Sequence, residues 1–362
     1  MTELTVDSIQ RYLSTLKGRQ VHVLGLSALG QEGHEKAIKF CGYGSPVRVD
    51  YQLPGEGTRS LVLHTMRPGP FGHEHMADRA QVLLWSNVAF RRLPRHVCSF
   101  DVGGFHADGT LISIGEVEEF FLLTEYSEGQ AYVRDLEHLS DNGVLRAVDV
   151  DRSDALCDYL VRIHSTKSTD PGLYTRRIRE LVGHGECIMG IADSYTSHPL
   201  ITRQKLQQIE HHCVDWRWRL KDLSHRLRQV HGDFHPWNIL FRSGTDFTVL
   251  DRSRGEYGDP ADDVACLTLN YVFFSLQHRE RLEEGFETLF RRFWERYLEK
   301  TGDSEILRVV APFLAFRALV MASPVWYPSL PDGVRSKLLT FIVSVLDEEV
   351  FDPARVNKYC GV

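Results

Sequence analysis

The sequence predicts an α+β protein in two lobes: a first with an antiparallel sheet and one main helix, and a second that is mainly helical. Three observations carry this. Short β-branched and apolar runs, punctuated by Gly and Pro, fill the first third of the chain. After Gly129 the apolar residues recur at helical spacing, as in Leu156, Tyr159, Leu160 and Ile163. One late pair of apolar runs flanks a turn. The lobes are expected over 1–126 and 130–362, with a hinge near 125–129.

In chain order, residues 6–17 read as an opening helix, with Ile9, Tyr12, Leu13 and Leu16 on one face. Strands are expected at 21–26, 36–41, 47–53 and 60–66, interrupted by Gly42, Gly44, Pro46 and the turn 54–57. A helix follows from about His73 to Phe90, then two strands at 97–102 and 120–126. In the second lobe, 238–241 and 247–250 flank the polar turn 242–246 and read as a hairpin. Trp216, Trp218 and the basic residues through Arg228 give an aromatic-basic helix. Its preferred reading is a core helix, over a nucleic-acid or membrane surface, because it leads directly into the hairpin region.

At 362 residues the chain is long enough to bury two cores. A net charge of -7 argues against a general nucleic-acid binder. The seven cysteines are scattered, odd in number and free of C-x-x-C pairs, the pattern of reduced thiols in a cytoplasm. The N-terminal 20 residues have no apolar signal core. The apolar run over 310–325 is broken by Pro312, Arg317 and Pro324, too short for a membrane span of ~20 residues, so it reads as a core helix.

The chemistry concentrates in His231-Gly-Asp233-Phe-His-Pro-Trp-Asn238 and the Asp251 that ends the hairpin. Phosphoryl transfer asks little of a protein: a carboxylate to take or orient the acceptor proton, and hard oxygen ligands for Mg²⁺. Asp233 fits the first task. A hairpin brings its ends together, so Asn238 and Asp251 can face one metal.

These residues, with the later Gly258-Asp259-Pro260-Ala-Asp-Asp263, resemble the aminoglycoside phosphotransferase and choline kinase group of the protein-kinase-like fold. The resemblance implies a bilobal kinase-like fold, Asp233 as catalytic base, Asn238 and Asp251 as ligands of Mg²⁺, and ATP (or GTP) as donor. It implies that Asp263 braces the loop and that His231 is structural. The acceptor would be a hydroxyl of a small molecule, with no nucleic-acid or membrane partner. In the first lobe it places the phosphate-covering loop at Gly42, Gly44 and Ser45, the phosphate-gripping lysine near His64, and the adenine-binding hinge at Glu125 and Tyr126. Lys39 follows Gly30 too closely to be that lysine; Lys39 or Arg67 would have to substitute from elsewhere. Glu74 and Asp78, at i, i+4 spacing, are the candidates to hold it.

Two questions stay open at this level. Arg252 and Arg254, where the family carries an aromatic, suit phosphate clamping, or else point outward or pair with Glu256 and Asp259. Glu256, Asp259 and Asp262 suit a cationic acceptor, whereas the arginines of 176–187, where Gly183 and Gly185 break a helix, equally suit an anionic one. Two rival functions are a non-catalytic nucleotide-binding protein, supported by His64 at the lysine position, and a metal-dependent phosphohydrolase using His231, Asp233 and His235. The second lacks the Asn-His dipeptide such sites need.

Overall fold

The structure, a computed structural model, describes residues 4–29, 46–69, 72–90, 97–117, 119–120, 122, 124–195, 198–252 and 254–362. Contacts divide the chain into two compact units, Met1–Thr124 and Glu125–Val362.

In the first unit α1 (Val6–Lys17) is capped by the Thr5 side chain, which accepts from the Ser8 amide. It buries Ile9 and Leu13 against β1 (His22–Ala28) and β2 (Val47–Gln52), where Val23, Val49 and Tyr51 complete the small core. β3 (Arg59–Leu63) pairs antiparallel with β2, in the order β1-β2-β3. The expected strand at 36–41 and the loop residues Gly42, Gly44 and Ser45 lie outside the described residues, as does Lys39.

Three expectations need correction here. α2 runs Met76–Phe90, starting three residues later than expected, because the Asp78 carboxylate accepts the His75 amide (2.8 Å) and fixes the helix start. Glu74 therefore precedes the helix and shares no face with Asp78. Residues 97–102 are not a strand; the short hairpin falls instead at β4 (Gly103–Phe105) and β5 (Leu111–Ser113). The described residues of 120–126 carry no strand either, with Leu122 88% and Tyr126 89% exposed. An apolar run needs a ladder partner to become a strand, and among the described residues these have none.

The second unit is mainly helical. β6 (Gln130–Ala131) leads into α3 (Val133–Asn142) and α4 (Ala147–His164). α5 (Gly172–Gly183) stops at the Gly-His-Gly break, and the short α6 (Ile188–Ser194) restarts the chain. α7 (Arg203–Leu220) is the aromatic-basic segment. Trp216 is buried and donates Nε1–H to the Leu346 carbonyl (2.9 Å), as in a core helix, but Trp218 is exposed and the helix stops at Leu220, short of the expected Arg228. After β7 (Arg228–Gln229) comes the motif loop, then the hairpin β8 (Ile239–Phe241) and β9 (Phe247–Val249), close to its expected position. β6 joins the outer side of β8.

β10 (Tyr257–Gly258) pairs with β7 and delivers α8 (Pro260–Arg279), apolar almost all round and buried from Pro260 to Leu276 except Asp262. α9 (Glu284–Thr301), α10 (Ile306–Val309), α11 (Ala311–Ala322), α12 (Asp332–Asp347) and α13 (Val356–Tyr359) complete the bundle. α11 is the interrupted apolar run, now a buried core helix. No described helix is long and apolar enough to cross a membrane.

Candidate active site

The site grows from the N-terminus of α8. Asp259 caps the helix, its Oδ1 accepting the Ala261 amide (2.9 Å), and Pro260 occupies the first turn, where a missing N–H costs nothing. The helix end also favours the carboxylates of Asp262 and Asp263. Asp263 is fully buried and accepts the backbone amides of His231 and Gly232, both at 2.7 Å. His164 Nε2 adds a third contact at 3.1 Å, and His164 is itself held by the Tyr297 hydroxyl (2.8 Å). Burial alone would raise the Asp263 pKa; hydrogen bonds from His164 and the loop outweigh it and hold it below the ordinary value. One carboxylate thus fixes two successive amides of the motif loop. Gly232 is required: its φ is +86°, and a Cβ there would meet the Cβ of Arg254 at 3.2 Å.

From this anchor the loop curls around the Asp233 carbonyl, which accepts the His235 amide (2.9 Å) and Asn238 Nδ2 (3.1 Å). His231 is 2% exposed; its Nδ1 faces the Asp233 amide at 3.3 Å. Burial lowers its pKa, keeping it neutral, an uncharged prop for the loop.

Asn238 opens β8 and its carbonyl accepts the Leu250 amide (2.8 Å), extending the ladder one step past the Ile239–Val249 pair. The ladder therefore sets Asp251 one residue beyond Asn238's partner. Asn238 spends its Nδ2 on the loop, so its Oδ1 is the available end. Asp251 is exposed, has φ +52°, and has no ion pair among the described residues. That left-handed conformation is tolerated by Asp and Asn far better than by other side chains. A free carboxylate and a free amide oxygen at the joined ends of a hairpin are a donor set that fits Mg²⁺, which keeps waters and phosphate oxygens as its remaining ligands. Among the described residues no three His, Cys, Asp or Glu side chains cluster as a metal site, which leaves the phosphohydrolase arrangement unformed there.

The Asp233 carboxylate meets a residue that sequence reasoning noted only as an interruption. Arg317, on α11 and 5% exposed, places Nη1 2.5 Å from Asp233 Oδ1 and Nη2 2.6 Å from Asp262 Oδ1 and 2.8 Å from the Gly232 carbonyl. A lone Arg in an apolar helix must find partners; that was the available signal. Burial would raise the Asp233 pKa, but His235 (Nε2 3.6 Å from Oδ2), Arg317 and Arg254 outweigh it and hold the group well below the carboxylate range. For Asp262 burial wins, and with Asp263 beside it the pKa is raised despite Arg317.

Other sequence candidates take different places. Arg252 donates Nε and Nη2 to the Val230 carbonyl (3.0 and 2.9 Å) and Nη2 to the Glu256 carbonyl (2.8 Å), so it ties backbone together instead of pairing with a carboxylate. Asp259 is 1% exposed and gripped bidentately by Arg226 (2.8 and 2.9 Å), with the Tyr174 hydroxyl at 2.7 Å, and so is closed to any substrate. Glu256 is exposed. Arg254 is half-buried, its guanidinium over the Phe316 ring at 5.2 Å. Behind the loop, Tyr159, Val230, His231, Leu250 and Asp251 help line a cavity of about 240 Å³. In the first unit His64 is exposed, one residue past β3, while Glu125 and Tyr126 are exposed at the start of the second unit.

The sequence matches the phosphotransferase enzyme family over residues 74–299. No curated protein matches it significantly. Among solved structures it is similar to an amicoumacin kinase in complex with AMP-PNP, Ca²⁺ and Ami (15% identity, TM-score 0.42, covering 91% of each chain). It is also similar to a glucosamine kinase (18% identity, TM-score 0.39), covering 60% of this chain and 57% of that one. An ethanolamine kinase of Plasmodium vivax (12% identity, TM-score 0.33) covers 93% of this chain and 80% of its own. Matched across well over half its length, the chain belongs to the phosphotransferase enzyme family, with the α+β, protein-kinase-like fold and the transfer of phosphoryl groups to alcohols that define it.

Proposed function

We propose that the protein is a kinase that moves the γ-phosphoryl group of ATP (or GTP) to a hydroxyl of a small molecule, using Asp233, Asn238 and Asp251. The observation that supports this most is the hairpin, whose ladder brings Asn238 to the residue preceding Asp251, both with oxygens to spare, at the end of the loop that carries Asp233. Mg²⁺ held there would neutralise phosphate charge. Residues 1–126 are read as the nucleotide lobe, with Gly42, Gly44, Ser45, His64, Glu125 and Tyr126 as its contacts. The scattered free thiols suit a reducing, nucleotide-rich compartment such as the cytoplasm.

The chain's own residues divide the work. Arg317 occupies Asp233 Oδ1, leaving Oδ2, with His235 Nε2 3.6 Å away, for the acceptor hydroxyl. The acceptor oxygen bonds to the γ-phosphorus as its bond to the β–γ bridging oxygen breaks, and ADP leaves. The hydroxyl proton is taken up at Asp233 Oδ2. With its pKa held down, Asp233 chiefly aims the hydroxyl, and the proton moves late, as suits a loose transition state. Asp263 and His231 keep the loop in place, and catalysis is positioning plus charge neutralisation.

The test is Asp233→Asn. Turnover should fall by about 10²–10⁴-fold while Mg-nucleotide binding changes little. Near-normal turnover in that variant would sink the mechanism.

A further inference from the structure

The charges around Asp233 are not those of a pocket for amines. Four of the carboxylates on this part of the second unit are already engaged. Asp233 and Asp262 share Arg317. Asp259 is sealed by Arg226. Glu180 is paired with Arg176 and Arg177 at 2.6 Å each. An ammonium group arriving here would compete with buried guanidiniums already in place, a costly exchange.

A cation left without a carboxylate partner among the described residues is Arg254. The Arg254 side chain springs from the wall against Gly232, close enough to lower the pKa of Asp233. Among the described residues no carboxylate lies within ion-pair reach of it. Its polar contacts are the Glu186 carbonyl at 3.5 Å and Cys187 Sγ at 3.7 Å, both at the limit of a hydrogen bond. The Phe316 ring lies 5.2 Å from the guanidinium carbon and takes up none of its N–H donors, which suit a planar or tetrahedral anion. A buried donor is also unspent: Arg317 Nε has no hydrogen-bond partner, although both terminal nitrogens of that guanidinium are bonded. The exposed Glu186 and Glu256 carboxylates, and Asp251 on the metal side, are the unpaired negative charge nearby.

We propose that Arg254 is the acceptor-binding residue, and that the acceptor is a hydroxyl compound carrying a carboxylate or a phosphate, not an amine. This rests on the kinase reading, with Asp233 receiving the hydroxyl. The anion docks on the Arg254 guanidinium and presents a neighbouring hydroxyl to Asp233 Oδ2.

The experiment uses four three-carbon probes that differ in one end group: D-glycerate, sn-glycerol 3-phosphate, glycerol and 3-aminopropane-1,2-diol. Each is titrated into the full chain by ligand-observed NMR, with Mg²⁺ and a non-hydrolysable ATP analogue saturating the nucleotide site. At least one anion should bind about tenfold or more tighter than glycerol, and which anion does so separates carboxylate from phosphate recognition. Arg254→Met should reduce that anion to the level of glycerol, and Arg254→Lys should restore part of the difference. Tighter binding of the aminodiol, anion binding unchanged in Arg254→Met, or no preference for either anion would each overturn the proposal. A melting curve of each variant shows that it is folded. If the ATP analogue itself fails to bind, the kinase reading fails separately, and the same four titrations on the nucleotide-free chain still decide the role of Arg254.

Discussion

The motif loop has two faces built on opposite rules. On its inner face the carboxylates are matched: Asp263 by two amides and His164, Asp259 by Arg226, Tyr174 and the Ala261 amide. On its outer face groups are left open or loosely held: Asp251 in a left-handed backbone without an ion pair among the described residues, Asn238 Oδ1, Asp233 Oδ2 with His235 Nε2 at 3.6 Å, and the Arg254 guanidinium. A fold has no reason to leave such groups unmatched where a ligand is not expected. The difference teaches which carboxylates hold the loop and which are available for chemistry, although all of them fall within one 31-residue stretch, 233–263.

The sharpest way to break this comparison is to attack the inner face. Asp263→Asn places an amide NH₂ against at least one backbone N–H and strips His164 of its charged partner. A stability loss of about 3–5 kcal/mol is expected, read from urea unfolding, together with loss of nucleotide turnover. A variant as stable as the parent would mean that Asp263 does not brace the loop. On the outer face, Asp251→Asn keeps a residue that tolerates positive φ, and its unfolding midpoint should move by under about 1 kcal/mol. A large loss there would erase the distinction between the faces.

The smallest expected effect is on pH. Burial lowers the His231 pKa, so the unfolded chain takes up this proton near pH 6.5 and the folded chain only at lower pH. Folding stability should therefore be lost as pH falls through about 6.5, by up to about 1 kcal/mol per pH unit from this group. His231→Gln should flatten that slope between pH 6.5 and 5. An unchanged slope would show that His231 is not held neutral. Asp233 and Asp263 have lowered pKa values, so their contribution is present above about pH 4 and fades only in more acidic solution.

Much of the inner and outer faces was legible in the sequence because it is local. The hairpin follows from alternation and a polar turn, and the helix start at Asp259-Pro260 is a capping signal. Arg317 and Arg226 were not legible in the same way. Their partners lie 84 and 33 residues away, and periodicity says only that a buried Arg needs a partner, not which one. The same gap left open whether Asp259 and Asp262 face a substrate, and whether Arg252 clamps phosphate, points outward or pairs with a carboxylate; Asp259 and Asp262 are held by arginines, and the exposed Arg252 bonds backbone carbonyls. The apolar run 120–126 reads as a strand by composition, but a strand exists only with a neighbour to bond, and the described residues of the run have none. The candidate phosphate loop at Gly42, Gly44 and Ser45 lies outside the described residues.

The most direct measurement is a calorimetric titration of Mg-ATP into the wild-type chain and Asp251→Asn. The account predicts Mg²⁺-dependent binding by the wild type, weakened by about tenfold or more in the variant, with both proteins equally stable. Equal affinity in the two would contradict it, because the open carboxylate at the end of the hairpin would then have no part in holding the metal and its nucleotide.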